Sequence, residues 1–174
     1  MKSLLLLRHA KSSWKDLNLD DHDRPLNKRG KRNAPRMGRL MKEKGLLPDL
    51  IITSTAKRAR KTAVKAARAA DFQGEIIQAA KLYHAEPEEM LQVLGTLGRG
   101  PASVMLVGHN PGMEELLNML HGRDEEMPTG ALAHLEAKLD DWNELYSAAR
   151  DGLSERAALM ELKGFWKPRE LPED

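Results

Sequence analysis

The stretch Leu4-Leu5-Leu6-Leu7-Arg8-His9 decides the fold: four consecutive leucines, then a guanidinium and an imidazole. A short, near-continuous apolar run is the signature of a central strand covered on both faces, as parallel sheets require. A second such run, Ser103 to Val107, is followed by Gly108-His109-Asn110-Pro111-Gly112. If the two strands are parallel, both histidines emerge at one sheet edge, outside the carboxyl ends of the strands, where open α/β sheets bind ligands. A lone histidine after a strand is ordinarily a capping or surface residue. Two at equivalent strand ends, one beside an arginine, point to a site.

Working outward, a polar, Asp-rich loop is expected from about Lys11 to Arg24. A helix follows from Asn27 to Lys44, carrying Met37, Leu40 and Met41 inward, with Pro35 kinking it or beginning its regular part. Gly45 ends that helix, and Asp49 to Thr53 reads as a second buried strand. An Ala- and Arg-rich helix then runs from about Thr55 to Ala70. Ile76 to Gln78 is a short third strand, Pro87 opens a helix to about Leu97, and Pro111 opens another to about Leu120. Residues 130–137 and 157–162 alternate apolar with other positions, predicting two further strands near an edge, with Trp142 on a short helix between them. The sum is an α/β chain: a three-layer α/β/α sandwich with a mostly parallel central sheet of about six strands. Its 174 residues, 41% of them hydrophobic, suit a single domain over 1–174.

Composition narrows the chemistry. The complete lack of cysteine excludes disulfides, thiolate metal sites and cysteine-dependent phosphatases or proteases. The opening apolar run is far shorter than a signal core or a membrane span, which predicts a soluble, cytoplasmic protein and no membrane partner. The net charge of +2 conceals a lopsided distribution. Residues 28–68 hold 14 of the 28 Lys and Arg, with only Glu43 and Asp49 as acids, whereas residues 110–174 hold 15 of the 26 Asp and Glu. A phosphorylated or otherwise acidic ligand is favoured. His22, His121 and His134 have no metal-ligand spacing and read as structural, so neither metal nor cofactor is implied. Asp21-His22-Asp23 looks like an aspartate-phosphatase motif but follows no buried strand, and it is discounted. Walker, Gly-x-Ser-x-Gly and Gly-x-Gly-x-x-Gly motifs are missing from the sequence.

The third element is Ser54-Thr55-Ala56-Lys57-Arg58-Ala59, where the second strand gives way to the basic helix. Arg58 falls in the first turns, where free N–H groups and a planar guanidinium match phosphate oxygens. With Leu-Leu-Arg-His-Ala-Lys-Ser-Ser-Trp at 6–14, Asp-His-Asp-Arg-Pro-Leu-Asn at 21–27, Val-Gly-His-Asn-Pro-Gly at 107–112 and Pro-Thr-Gly-Ala at 128–131, the chain resembles the histidine phosphatase (phosphoglycerate mutase-like) superfamily. Within it, the resemblance is to the small phosphohistidine phosphatases of the SixA type.

That resemblance implies a metal-independent phosphohydrolase in which His9 accepts the phosphoryl group while Arg8, Arg58 and His109 form a cationic pocket. Ser12 is a further candidate donor to the phosphate. Neighbouring positive charge would keep His9 unprotonated for attack. Two departures stand out: Trp14 is followed by Lys15-Asp16, where many relatives have an asparagine touching phosphate, and His84 stands where larger relatives carry an acidic glutamate. Glu86 or Glu88 could replace that acid, although Glu88 and Glu89 read more simply as first-turn acids. The expected substrate is phosphohistidine on a protein, with small phosphate esters as the enzymatic alternative. A module binding nucleic acid or phosphoprotein through the basic segment is the non-enzymatic one. Nucleic acid is disfavoured because few aromatic residues lie there to stack bases.

Overall fold

The computed structural model describes residues 1–152 and 157–172. The four-leucine run lies at the heart of β1 (Lys2–Arg8), which pairs in parallel with β4 (Ser103–Gly108) and antiparallel with β5 (Leu132–Ala137). β2 (Leu50–Ser54) pairs in parallel with β4 on one side and with β3 (Glu75–Ala79) on the other, and β6 (Glu161–Trp166) lies antiparallel to β5. The resulting sheet has the order β3-β2-β4-β1-β5-β6, mixed but mostly parallel.

Because strand side chains alternate, the leucine run feeds both faces of the sheet. Leu5 and Leu7, with Ile51, Met105 and Val107, meet Met37 and Met41 of α1 (Lys28–Glu43) and Ala63 and Ala66 of α2 (Lys57–Ala69). Leu4 and Leu6, with Ile52, Val104 and Leu106, face α3 (Pro87–Gly95), α4 (Gly112–His121) and α5 (Trp142–Arg150). These are the three layers expected. Most expected elements occur within a residue or two of their expected bounds, and Trp142 is fully buried at the start of α5, its indole N–H donating to Pro101 O at 2.8 Å.

Three expectations need correction. Pro35 does not begin the regular part of the helix. α1 runs through it, starting seven residues earlier at Lys28, with the Asn27 side chain accepting from Gly30 N at 2.9 Å as the N-cap. The helix at Pro87 ends at Gly95 rather than near Leu97. The last strand lies four residues later than the alternation at 157–162 suggested, because Leu159 and Met160 donate their N–H groups to Leu120 O, each at 2.8 Å, and so belong to the end of α4. The two strands lie near an edge as expected: β6 forms the edge opposite β3, and β5 lies next to it.

Two close approaches position the elements that carry the site. A Cβ at Gly38 would lie 2.1 Å from Ala66 O, so α1 and α2 touch backbone to backbone there, and one at Gly112 would lie 1.9 Å from Ala85 O. The second contact presses the start of α4 against the segment that follows β3. Substituting Gly38→Ala should therefore force α1 off α2. The expected loss is about 1–3 kcal/mol, read as a lower urea midpoint at unchanged slope.

Candidate active site

β1 and β4 end in register, Arg8 opposite Gly108, and His9 N donates to Gly108 O at 3.0 Å. The next residue on each strand is therefore a histidine, and the rings of His9 and His109 lie 5.0 Å apart, both buried. The Nδ1 of His9 is 2.8 Å from Ala10 O. A carbonyl only accepts, so Nδ1 carries the proton and the lone pair sits on Nε2. The loop just after His9 is held by Thr62 of α2, whose hydroxyl accepts from Ala10 N at 3.0 Å and donates to Arg58 O at 2.7 Å.

His109 Nε2 lies 2.8 Å from Ser54 Oγ at the end of β2. That hydroxyl also accepts from Ala56 N at 3.2 Å, and in the tautomer whose Nε2 takes the serine hydrogen, Nδ1 of His109 is an N–H donor. This Nδ1 is buried and has no hydrogen-bond partner among the described residues. The same holds for Nε of Arg8, Nη1 of Arg24 and Nε of Arg58. Buried donors are normally paired, so several left open beside one imidazole make a ready anion receptor.

The arginines are held from behind. Arg8 Nη1 donates to Met127 O at 2.9 Å. Arg58 donates through Nη1 to Asp21 O at 2.6 Å and through Nη2 to Asp21 Oδ2 at 2.9 Å, and Arg24 Nε reaches Asp21 Oδ1 at 3.1 Å. Tyr83 O–H donates to the same carboxylate at 2.7 Å. Burial opposes ionisation of Asp21. The hydrogen bonds from Tyr83 and Arg58, with the charges of Arg58 and Arg24, outweigh it and hold the carboxyl well below the usual carboxylate range.

Sequence reasoning thus missed Asp21, Arg24 and Tyr83. The Asp21-His22-Asp23 turn, discounted as an aspartate-phosphatase motif, supplies the acid that fixes two arginines. Its signal was the 21–27 motif itself, quoted without a role for any of its side chains. The other candidates fall as follows. Ser12 is buried and bridges to Leu26 through its backbone. His84 is mostly exposed, with Nε2 3.8 Å from Asp21 Oδ2 and its ring 6.3 Å from that of His109. Glu86 is the N-cap of α3, its backbone N–H bonded to Glu89 Oε2 at 2.9 Å, and Glu88 lies in the first turn of that helix. His22 pairs with Thr55 Oγ1 and His134 with Ser3 Oγ, both at 2.9 Å, as structural residues do. Trp14 is exposed and carries the guanidinium of Arg24 over its ring at 3.4 Å.

Burial pushes His9 down to about 4, helped by the charges of Arg58, Arg8 and Arg24, and pushes His109 down to about 3. Both imidazoles are neutral at physiological pH. Desolvation, more than the neighbouring charge invoked from the sequence, is the main cause.

The sequence pattern of the histidine phosphatase superfamily (branch 1) matches residues 4–84. An uncharacterized chloroplastic protein of Arabidopsis thaliana is 33% identical over 160 residues, 87% of this chain and 73% of its own length. The structure of the putative phosphohistidine phosphatase SixA from Agrobacterium tumefaciens superposes with a TM-score of 0.79 at 31% identity, covering 96% of this chain and 98% of that one. The protein histidine phosphatase SixA complexed with tungstate superposes at 0.77 with 19% identity, covering 98% and 99%.

The depressed values have a measurable consequence. The folded-state values lie below the unfolded histidine value of about 6.5, so the unfolded chain binds more protons as pH falls from about 6.5 toward about 4. Stability contributed by the two neutral rings is whole above that window and is lost on descending through it. The ring protons of His9 and His109 should show no NMR titration between about pH 8 and about pH 5, and the urea midpoint should fall as the window is crossed. Titration of both rings near 6.5 would contradict the assignment.

Proposed function

Because the chain belongs to the histidine phosphatase superfamily and is a phosphohydrolase, we propose that it dephosphorylates phosphohistidine on a protein by way of a covalent phosphohistidine at His9. The observation that carries this reading is the neutral His9, its Nε2 lone pair set beside unpartnered N–H groups of Arg8, Arg24, Arg58 and His109. Phosphoryl transfer asks little of a protein beyond an aligned nucleophile and stabilisation of charge on the equatorial oxygens, and this arrangement offers both.

In the first step His9 Nε2 attacks phosphorus in line. A bond from nitrogen to phosphorus forms as the bond to the substrate's imidazole breaks, and that imidazole leaves with the proton it carries. The guanidiniums of Arg8 and Arg58 and the N–H of His109 hold the three equatorial oxygens. Water then attacks the phosphoryl group from the vacated side, the bond to His9 breaks, and inorganic phosphate departs. The proton of that water passes to phosphate or solvent, and His9 is again neutral.

The leaving group supports the choice of substrate. Glu86 is engaged at the start of α3, and His84 stands exposed at the rim. A phosphoramidate protonated on its own imidazole expels a neutral amine and needs little acid from the enzyme. An alkyl phosphate expels an alkoxide and needs a great deal. The resemblance to a putative phosphohistidine phosphatase over nearly the whole chain supports the same choice.

Rapid-quench labelling with a phosphohistidine substrate should trap acid-labile phosphate on the enzyme, and His9→Ala should abolish both labelling and turnover while leaving the fold intact. Turnover that persists in the purified variant would exclude the covalent route. Glycerol phosphate should be hydrolysed more slowly than phosphohistidine by roughly 10²- to 10⁴-fold, the usual contribution of general acid catalysis. Removing the carboxylate that orients Arg58, as Asp21→Ala, should lower kcat/KM by about tenfold or more, with Asp21→Asn retaining part of it through its carbonyl oxygen.

A further inference from the structure

We propose that Glu114 is a positioning residue for Arg8: through Met127 and Asn110, its carboxylate fixes the guanidinium beside His9. This inference rests on the role given to Arg8 above, as a donor to the transferred phosphoryl group, and extends that pocket to a residue outside every motif quoted for it.

Glu114 is the third residue of α4, and helix side chains lean toward the N-terminus of their helix. Its Oε2 reaches back to Asn110, whose Nδ2 donates to it at 3.2 Å, and across to Met127, whose N–H donates to it at 2.7 Å. Asn110 Nδ2 also donates to Met127 O at 3.0 Å. Both partners of that nitrogen can only accept, which settles which way round the amide lies. Met127 O is the acceptor that Arg8 Nη1 meets at 2.9 Å. One oxygen of Glu114 thereby fixes the residue whose carbonyl holds Arg8, together with the amide that shares that carbonyl.

The loop between α4 and β5 depends on such contacts. Residues 124–128 form neither helix nor strand, so their backbone groups need partners from elsewhere. Glu125 N donates to Asn118 Oδ1 at 2.8 Å, as Met127 N does to Glu114. Residues 114 and 118 stand one turn apart on a single face of α4, and that face receives alternate N–H groups of the loop. Met127 itself is fully buried in the core beneath α4.

Past Met127 the chain turns along the end of β1. Gly130 N lies 3.1 Å from both Arg8 O and His9 O, and Arg8 N donates to Ala131 O at 3.1 Å. Residues 130 and 131 therefore hold the backbone of Arg8 and His9, whereas residue 127 holds the Arg8 side chain. Loss of the Glu114 contact leaves the nucleophile's backbone in place and frees the guanidinium.

An acid in the first turn of a helix is ordinarily explained by the helix dipole alone. Glu115, exposed in the same turn, fits that description. Glu114 is half-buried and accepts from two residues outside α4. It also bears on charge, since burial lowers the Arg8 guanidinium from its ordinary value and the Glu114 carboxylate opposes that shift. Asp21 grips Arg58 directly, and Glu114 serves Arg8 at one remove. In both cases the carboxylate stands behind the arginine and Nε stays open.

Two substitutions separate reach from charge, with nitrophenyl phosphate as substrate. Glu114→Asp keeps the charge and shortens the side chain by one methylene, and it should lower kcat/KM by about tenfold or more. The loss should fall mainly on kcat, because the oxygens that Arg8 holds carry their charge in the transition state. Glu114→Gln drops the charge and keeps an oxygen at the same reach, so it should stay within about threefold of wild type. Glu115→Ala should match wild type, and Asn118→Ala, which frees the same loop at Glu125, should cost less than Glu114→Asp. Vanadate affinity should fall in Glu114→Asp, yet in an Arg8→Ala background the same change should cost nothing further, whereas a merely structural role costs as much in both. An unimpaired Glu114→Asp overturns the proposal. So does a Glu114→Gln that falls as far as Glu114→Asp, an equal loss in Asn118→Ala, or an undiminished cost in the Arg8→Ala background. If Arg8→Ala alone turns over substrate and binds vanadate as wild type does, the pocket proposed above fails and this inference with it. An impaired Arg8→Ala beside an unimpaired Glu114→Asp sinks this inference only.

Discussion

Six residues of parallel pairing, Ser3 to Arg8 against Ser103 to Gly108, are the contact on which the rest of the molecule depends. The register does two things at once. It sends Leu4 and Leu6 to one core and Leu5 and Leu7 to the other, and it stops with Arg8 beside Gly108, so that residues 9 and 109 leave the sheet together. A slip of one residue would draw Arg8 or Ser3 into the span now filled by leucines and part the two imidazoles. The catalytic spacing is therefore protected by the same burial that stabilises the sheet. Each fully buried leucine contributes about 1.5–3 kcal/mol toward keeping that register.

Electrostatics sets the second constraint. Two unit charges 4 Å apart interact by about 4 kcal/mol at the effective dielectric of a protein surface, so a cluster of guanidiniums cannot be assembled without compensation. Two responses are visible. The imidazoles of His9 and His109 stay neutral and add no further positive charge, and Asp21 places one carboxylate against Arg58 and Arg24, with Tyr83 completing its hydrogen bonds. Asp21 holds Nη1 and Nη2 of Arg58 and leaves Nε unpartnered. Orientation and charge balance come from the same residue, and the donor that remains open is free for an anion.

Much of this was readable from the sequence, and the reason is local. The leucine run, the second run ending in Gly108-His109 and the start of the Arg58 helix are each decided by a few adjacent residues, and parallel pairing turns such local signals into one site. The misses were not local. Asp21 lies in a polar loop whose position depends on Arg58, 37 residues away, and on Tyr83, 62 residues away. Nothing in the periodicity of the loop marks a carboxylate that will meet them. The early placement of the last strand has the same origin, since residues 159–160 alternate like a strand yet are captured by Leu120 O at the end of α4. The unbroken course of α1 through Pro35 shows tertiary packing outweighing a local preference, with Ala34, Met37 and Met41 buried on either side of the proline.

On the proposed function, the pocket built this way would recognise a phosphoryl group and little else. Its named donors, Arg8, Arg24, Arg58 and His109, would be spent on oxygens that every phosphate ester and phosphoramidate presents alike. Beside Asp21, His84 and Tyr83 offer an exposed ring and a hydroxyl already committed to that carboxylate. Discrimination among substrates then has to come from two other sources. One is chemical: on the proposed function, with no dedicated acid, the stability of the leaving group would sort phosphoramidates from alkyl esters. The other is spatial. On the proposed function, the surface around the pocket would decide which protein can bring its phosphoryl group to His9, and part of that surface belongs to α1, whose first turn backs onto the residues after His9. A pocket that reads only the phosphate would place the burden of choosing a partner on the surface outside it.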